Sequence, residues 1–527
     1  MRLFQVLLLS AMALAADIRW VDCASHIPAP LQSTALPSAL PLTLACGQID
    51  VPMDYAEQGG ANITLGFSMY RPENPQGLLN LYVRGPGQEV SSYPWDYVLN
   101  LTQASWFVGL EKFDILAVDT RGYHSSNALN CTIGDWLIPS KLPEQEDEYD
   151  DFKAHVVSYA QSCAEQSTPA GILEHLGTYE TVRDWDTIRA ALGYDTLHHF
   201  GISYGTYYGI NYAATFPERA GRFALDAVFP TGMSNADLIG AQFDSINRLI
   251  DRADSRCLNN TACPFHDQGH GAIQQAVRDV LALASNNTSS SDNAVSASVY
   301  DVGHYLTMWY LLGAPQFDDL AVALSLALSG NWTRFDYSTL APIFTETFAP
   351  LARTYCLDYH IEDNSFEGWT ALRAALKQSD PYDIKYVFYL ALHSICGGWP
   401  KTSSSNEKVS VDSSVAFITS DFDYNTPTEG ATYEWAQTSN SVLIVRHGDG
   451  HGTFDIPYGA PEHHAQLMDG NFPGSARETF INFLASGELP EAYEDADTVV
   501  YTQGQMREEI PNAYEVPTGA AYGDTVL

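Results

Sequence analysis

Ser203 stands in Gly201-Ile-Ser-Tyr-Gly205, after a short, partly apolar run at 196–200 and before a stretch of helical character at 207–216 that stops at Pro217. A hydroxyl on such a strand-to-helix turn is suited to attack on an acyl carbon. The turn strains the serine backbone, so flanking Cβ atoms would clash and glycine is needed on both sides. The helix behind it aims N-terminal amides at developing negative charge. A free hydroxyl is a poor nucleophile at neutral pH and needs a base. Histidine serves when a carboxylate fixes its tautomer and stabilises its charged form. Of the 15 histidines, His451 in Gly448-Asp-Gly-His-Gly452 is the best placed, one short glycine loop after the apolar run 442–445. His447 lies too near the end of that run. Asp423 follows the run 415–419 and precedes Asn425-Thr-Pro427, a turn and helix start, with Asp421 and Asp226 as competing acids. The order serine, acid, histidine is one in which this triad occurs. An oxyanion needs two backbone donors. The amide of Tyr204 is one, and Gly85 in Arg84-Gly-Pro-Gly87 supplies the other after the run 77–83. Asp119-Thr-Arg-Gly122 is expected to buttress that loop through an ion pair.

Such residues converge only if strand ends present them together. Strands are expected at 47–52, 62–70, 77–83, 113–119, 196–200, 223–229, 414–419 and 441–445, with helices at 181–192, 428–437 and 476–484. Strands alternating with helices imply an α/β fold, a mostly parallel central sheet with helices on both faces. Chemistry is then expected at the carboxyl ends of the strands. Helical patterns dominate the middle of the chain, at 236–253, 272–283, 300–312 and 317–328. The expected division is a signal peptide at 1–16, a first part of the sheet domain at 17–231, an inserted helical cap at 232–410, and the rest of the sheet domain at 411–527. The acidic segment 144–151 reads as a solvated loop, and the acidic tail after Glu488 contains no obvious chemistry.

Composition bounds the compartment and the partners. Met1 to Ala16 has a charged start, an apolar run and Ala13-Leu-Ala15 as a small-x-small cleavage site, so secretion is expected. No later run reaches about 18 apolar residues, so no membrane span is expected. Eight cysteines in a secreted chain suggest disulfides between local pairs: Cys23 with Cys46, Cys131 with Cys163, Cys257 with Cys263, and Cys356 with Cys396. Glycosylation sequons begin at Asn62, Asn100, Asn130, Asn259, Asn286, Asn287 and Asn331. His266 with His270, and His447 with His451, are four apart but lie in glycine-containing stretches, so no metal site and no cofactor is expected. A net charge of −38 argues against nucleic acid or anionic membranes as partners.

Five blocks give the chain a specific resemblance to the secreted tripeptidyl aminopeptidase and prolyl aminopeptidase-like branch of the α/β-hydrolases. They are Cys46-Gly-Gln-Ile-Asp-Val-Pro-Met-Asp-Tyr55, Gly85-Pro-Gly87, the stretch 179–206, the pair Cys356-Leu-Asp358 and Cys396-Gly-Gly-Trp-Pro400, and Asp423-Tyr-Asn-Thr-Pro427 with Gly450-His-Gly452. The resemblance implies an α/β-hydrolase fold with Ser203, Asp423 and His451 as nucleophile, acid and base. Asp423 is followed by Tyr-Asn where that group commonly has Pro-x, and Arg84 stands where it usually has a further glycine. The expected activity is a serine exopeptidase acting on a small peptide, with Glu346 and Asp358 as cap carboxylates for the substrate ammonium. An esterase or lactonase acting on a small ester uses the same triad, and a non-catalytic binding protein is the third reading.

Overall fold

The computed structural model describes residues 17–515 except 58, 84, 102–106, 134–140, 287–296, 406, 453–474 and 496–497. The signal segment, Arg84, the sequon at Asn287 and the pair His463-His464 lie outside the described residues, as do the side chains of Asn286 and Glu346. The strands are Arg19–Val21 (β1), Leu44–Pro52 (β2), Asn62–Tyr70 (β3), Leu78–Tyr82 (β4), Asp114–Val118 (β5), Leu197–Ile202 (β6), Ala220–Asp226 (β7), Ser414–Phe422 (β8), Ser441–Asp449 (β9), Tyr493–Glu494 (β10) and Thr498–Thr502 (β11). They form one sheet in the order β1-β2-β3-β5-β4-β6-β7-β8-β9-β11-β10. The six strands from β5 to β9 in that order run parallel. β1, β2 and β3 flank them antiparallel on one side, and β11 and β10 on the other.

Both faces of the parallel region are covered, which is why β4 and β5 are buried at every position. Successive side chains of β6 point to opposite faces. His199 packs on Trp185 of the helix Thr178–Ala191, with ring centroids 5.2 Å apart. Phe200 stacks at 5.3 Å on Phe480 of the helix Ser475–Ser486. The chain leaves β4 toward β5 on one side and returns to β6 on the other, so the strand order reverses at β4. In open α/β sheets the crevice at such a reversal is the ligand site.

Between β7 and β8 the named elements among the described residues are helices. The main elements are Asn235–Asn259, Ala272–Asn286, Phe317–Leu328, Tyr337–Asp358, Phe366–Leu376 and Phe388–Gly397. The expected helix at 300–312 is in fact an α-helical turn, Val299–Tyr305, that widens into a π-helix at Leu306–Tyr310. The acidic segment 144–151 is not a loop but the start of the helix Glu146–Gln166. Gln145 and Glu148 form a capping box, and the acids of the first turn sit at the positive end of the helix dipole. Its buried stripe, Tyr149, Phe152, Val156, Tyr159 and Cys163, is a helical one. The strand expected at 223–229 ends at Asp226, because Ala227 takes a φ of 56°. The tail after Glu488 carries two strands of the sheet, so it is part of the core architecture.

Four disulfides join Cys23 to Cys46, Cys131 to Cys163, Cys257 to Cys263 and Cys356 to Cys396. Asn62, Asn100, Asn130, Asn259 and Asn331 are exposed. Among the described residues no helix is long and apolar enough to cross a membrane.

One buried acid makes stability depend on pH. Glu434, on the helix Thr428–Trp435, accepts from the amide of Thr231 at 2.7 Å and from its hydroxyl at 3.0 and 3.1 Å. Burial pushes its carboxyl from 4.5 up to about 7. Between those values the folded protein holds a proton that the unfolded chain has released. The contribution of this group to stability is therefore present at low pH and falls as pH rises through the window, by on the order of 3 kcal/mol. Glu434→Gln is expected to flatten that fall. Melting temperatures of the two proteins at pH 5 and pH 8 check it, and parallel pH dependences would contradict it.

Candidate active site

Ser203 bridges β6 and the helix Tyr204–Thr215 with φ 60° and ψ −126°, a conformation that L-residues adopt only under constraint. The constraint is visible in its neighbours. A Cβ on Gly201 would lie 2.5 Å from the carbonyl oxygen of Gly205, and one on Gly205 would lie 2.0 Å from that of Tyr82 at the end of β4. The amide of Ser203 donates to the carbonyl of Asp226 at 3.0 Å, and its own carbonyl accepts from the hydroxyl of Thr206 at 2.6 Å.

Below the turn lies His199, to which no chemical role is assigned from the sequence. Its Nε2–H donates to the carbonyl of Gly205 at 2.9 Å, and its Nδ1 accepts from Nδ2 of Asn80 at 3.1 Å. A carbonyl can only accept, so the proton sits on Nε2. Burial lowers the pKa of His199 to about 4, which keeps the ring neutral in this role. No local pattern marks it, because its partners come from β4 and from beyond the turn.

Asp423 follows β8, and His451 follows β9 by two residues. Nδ1 of His451 lies 2.9 and 3.2 Å from the two carboxylate oxygens of Asp423, with the acid side chain fully buried. Thr426 fixes that carboxylate: its amide donates to Oδ1 at 3.1 Å and its hydroxyl to Oδ2 at 3.0 Å. Of the competing acids, Asp421 is engaged elsewhere. Asp421 accepts from His447 at 2.7 Å and from Arg507 of the tail at 3.2 Å. Asp226 accepts the amide of Ser203 through its backbone carbonyl, while its carboxylate faces Gly452, where a Cβ would lie 3.3 Å from Oδ2. Gly450 and Gly452 take φ of 104° and 77°, the left-handed region that glycine tolerates. A Cβ on Gly452 would lie 3.5 Å from Ile202. The histidine loop thus rests against the residue before Ser203.

The loop after β4 carries Gly85 and Gly87. β4 and β6 pair in register, Tyr82 opposite Gly201, so this loop and the amide of Tyr204 leave the sheet side by side. His124 Nε2 donates to the carbonyl of Gly87 at 2.8 Å. Asp119 supports the loop through hydrogen bonds from the amide and hydroxyl of Ser91, at 3.0 and 2.9 Å. The ion pair expected in this segment runs elsewhere: Arg121 pairs with Asp184 of the helix Thr178–Ala191, at 2.6 Å, in full burial.

Beside the elbow a small cleft of about 20 Å³ is lined by Tyr204, Tyr207, Phe229, Tyr355, Asp358 and Tyr359 among others. Asp358 accepts from the hydroxyl of Tyr204 at 2.7 Å and from the amide and hydroxyl of Thr178 at 2.8 and 2.6 Å. Burial raises its pKa to about 6. The histidine pair 266 and 270 is split: His266 Nδ1 contacts the carbonyl of Cys257 and His270 stacks on Tyr514. Asp54, His175 and Glu180 offer ligand atoms within 4.8 Å of one another, but His175 is already paired with Glu180 at 3.1 Å.

Residues 81–345 match the family described as the alpha/beta hydrolase fold, and residues 381–499 match one described as TAP-like protein. A tripeptidyl aminopeptidase of Streptomyces lividans is 34% identical over 230 residues, 42% of this chain and 40% of that one. Serine protease Hip1 of Mycobacterium tuberculosis (strain ATCC 25618 / H37Rv) is 29% identical over 262 residues, 48% of this chain and 47% of that one. The Escherichia coli (strain K12) protein YuaR is 24% identical over 456 residues, 83% of this chain and 87% of that one. The matched stretches thus span less than half of the first two relatives.

Proposed function

The chain belongs to the α/β-hydrolase family, and on that premise we propose that it is a secreted serine peptidase that removes short peptides or prolyl residues from free N-termini. Ser203 attacks the scissile carbonyl. His451 takes the proton through Nε2 and passes it to the leaving amine, while Asp423 holds Nδ1 and stabilises the imidazolium. The amides of Tyr204 and Gly85 receive the oxyanion. Water then hydrolyses the acyl-enzyme with His451 as base. The observation that carries this reading is the contact of His451 with both oxygens of Asp423, in a loop that rests on Ile202. Relatives named tripeptidyl aminopeptidase and serine protease support the peptidase assignment. The disulfides, the exposed sequon asparagines and the N-terminal segment support secretion.

Asp358 and the aromatic walls around it form the site we assign to the substrate ammonium. A carboxylate beside π-faces suits a cation. Tripeptide and prolyl anilides with free and acetylated N-termini test the assignment. A preference for the free form of at least about 10-fold is expected, the value of one charge-assisted contact. Equal rates would overturn the aminopeptidase reading, and turnover of short acyl esters alone would point to an esterase.

Thr426→Val keeps the volume and removes the hydroxyl bonded to Asp423. A hydrogen bond to a charged group contributes about 1.5–3 kcal/mol, so kcat/KM should fall about 10- to 100-fold. Steady-state kinetics of the variant measure it, and an unchanged kcat/KM would remove Thr426 from the site.

A further inference from the structure

The acid loop 423–425 does not satisfy its own backbone. The hydroxyl of Ser245 donates to the carbonyl of Asp423 at 2.7 Å. The amide of Gln242 donates to the carbonyls of Tyr424 and Asn425 at 3.3 and 3.2 Å. Both donors are fully buried on the cap helix Asn235–Asn259, three residues apart and hence on one face. Gln242 is itself held by the amide of Tyr389, at 2.9 Å, from another cap helix. A second cap segment reaches the same loop. Gly313, in the turn after the π-helix, donates its N–H to Oδ1 of Asn425 at 3.1 Å and accepts the amide of His451 at 2.9 Å. One cap residue therefore touches the acid loop through its N–H and the base loop through its carbonyl. Gly450 lies so close under it that a Cβ would sit 3.2 Å from the Gly313 carbonyl. Farther along the same helix face, Arg252 makes a buried two-pronged ion pair with Asp449, both bonds 2.8 Å, two residues before His451.

We infer that the cap is a fixed support of the triad, with Gln242, Ser245 and Gly313 as positioning groups that set the distance between Asp423 and His451. The physical reason is that buried carbonyls need donors. If the cap swung away, three consecutive carbonyls would lose their donors and the amide of His451 its acceptor, all together. Substrate must therefore enter around a cap that stays seated, and the reactivity of Ser203 depends on side chains that touch neither substrate nor nucleophile. The inference rests on the triad reading given above.

Labelling of Ser203 by a fluorophosphonate tests it without knowledge of the substrate. The rate constant reports how well Asp423 and His451 activate the serine, and the amplitude reports the fraction of folded protein. Ser245→Ala and Asn425→Ala are each expected to slow labelling about 10- to 100-fold, the effect of a small misplacement of a catalytic group, with full amplitude. Ser245→Thr, which keeps the hydroxyl, is expected to restore the rate to within about 2-fold of wild type. Rates near wild type in both alanine variants, or a loss of amplitude without a change in rate, would overturn the inference. If Ser245→Ala does not fold, Asn425→Ala reads the same coupling through Gly313. Failure of the wild-type protein to label at Ser203, with Ser203→Ala as control, would overturn the triad reading itself, and the inference with it.

Discussion

Ser203→Ala is expected to abolish turnover, with kcat lower by at least about 10⁴-fold on any substrate the protein cleaves, because loss of a serine nucleophile removes the covalent route altogether. The substitution is otherwise quiet. Alanine keeps the Cβ that the strained turn already accommodates, and the bonds holding the turn in place are made by the backbone of Ser203. Melting temperature should therefore stay within a few degrees of wild type. Substrate affinity should persist as well, since neither the oxyanion amides nor the Asp358 cleft is touched. Activity above about 1% of wild type in the purified variant would mean that another group carries the reaction.

Gly205→Ala is expected to fail differently, by losing the fold of the elbow. The new Cβ would sit 2.0 Å from the Tyr82 carbonyl oxygen, a backbone atom of a buried central strand. Neither partner can yield without moving β4 or the helix Tyr204–Thr215. Overpacking of this kind costs at least about 3 kcal/mol. The shift would also disturb the His199 bond to Gly205. Gly240→Ala is the control. It lies in a cap helix with its nearest contact 3.7 Å away, and alanine there should be neutral or stabilise by up to about 1 kcal/mol. Denaturant unfolding of both variants measures the contrast, and similar stabilities would contradict the clash.

The proposed nucleophile and base are legible in the sequence because their signals are local. Glycines flank Ser203 and His451 at short spacing, and each follows an apolar run of strand length. The acid was narrowed but not settled. Asp421 and Asp423 both trail the same run. What separates them is a ladder irregularity after Ser420 and the arrival of Arg507 on Asp421. Contacts of that sequence distance leave no local trace. His199 was missed for the same reason. The helix Glu146–Gln166 was missed for another: its opening acids read as solvation, although Gln145 and Glu148 already spelled a cap. The cap helices were legible in kind, but their attachment to the acid loop was not. Tyr424 and Asn425 mark the place where the chain departs from the commoner pattern, and they are the residues whose carbonyls and side chains the cap engages.

The tail also bears on when the site is completed during synthesis. Arg507 engages the acid beside His447, and the carbonyl of Ala513 accepts from Arg252, the residue already paired with Asp449 of the histidine loop. Both contacts come long after Ser203 in chain order. In a growing chain the elbow can therefore form before the loops that carry Asp423 and His451 receive these two braces. On the function proposed above, the serine emerges ahead of the groups proposed to assist it.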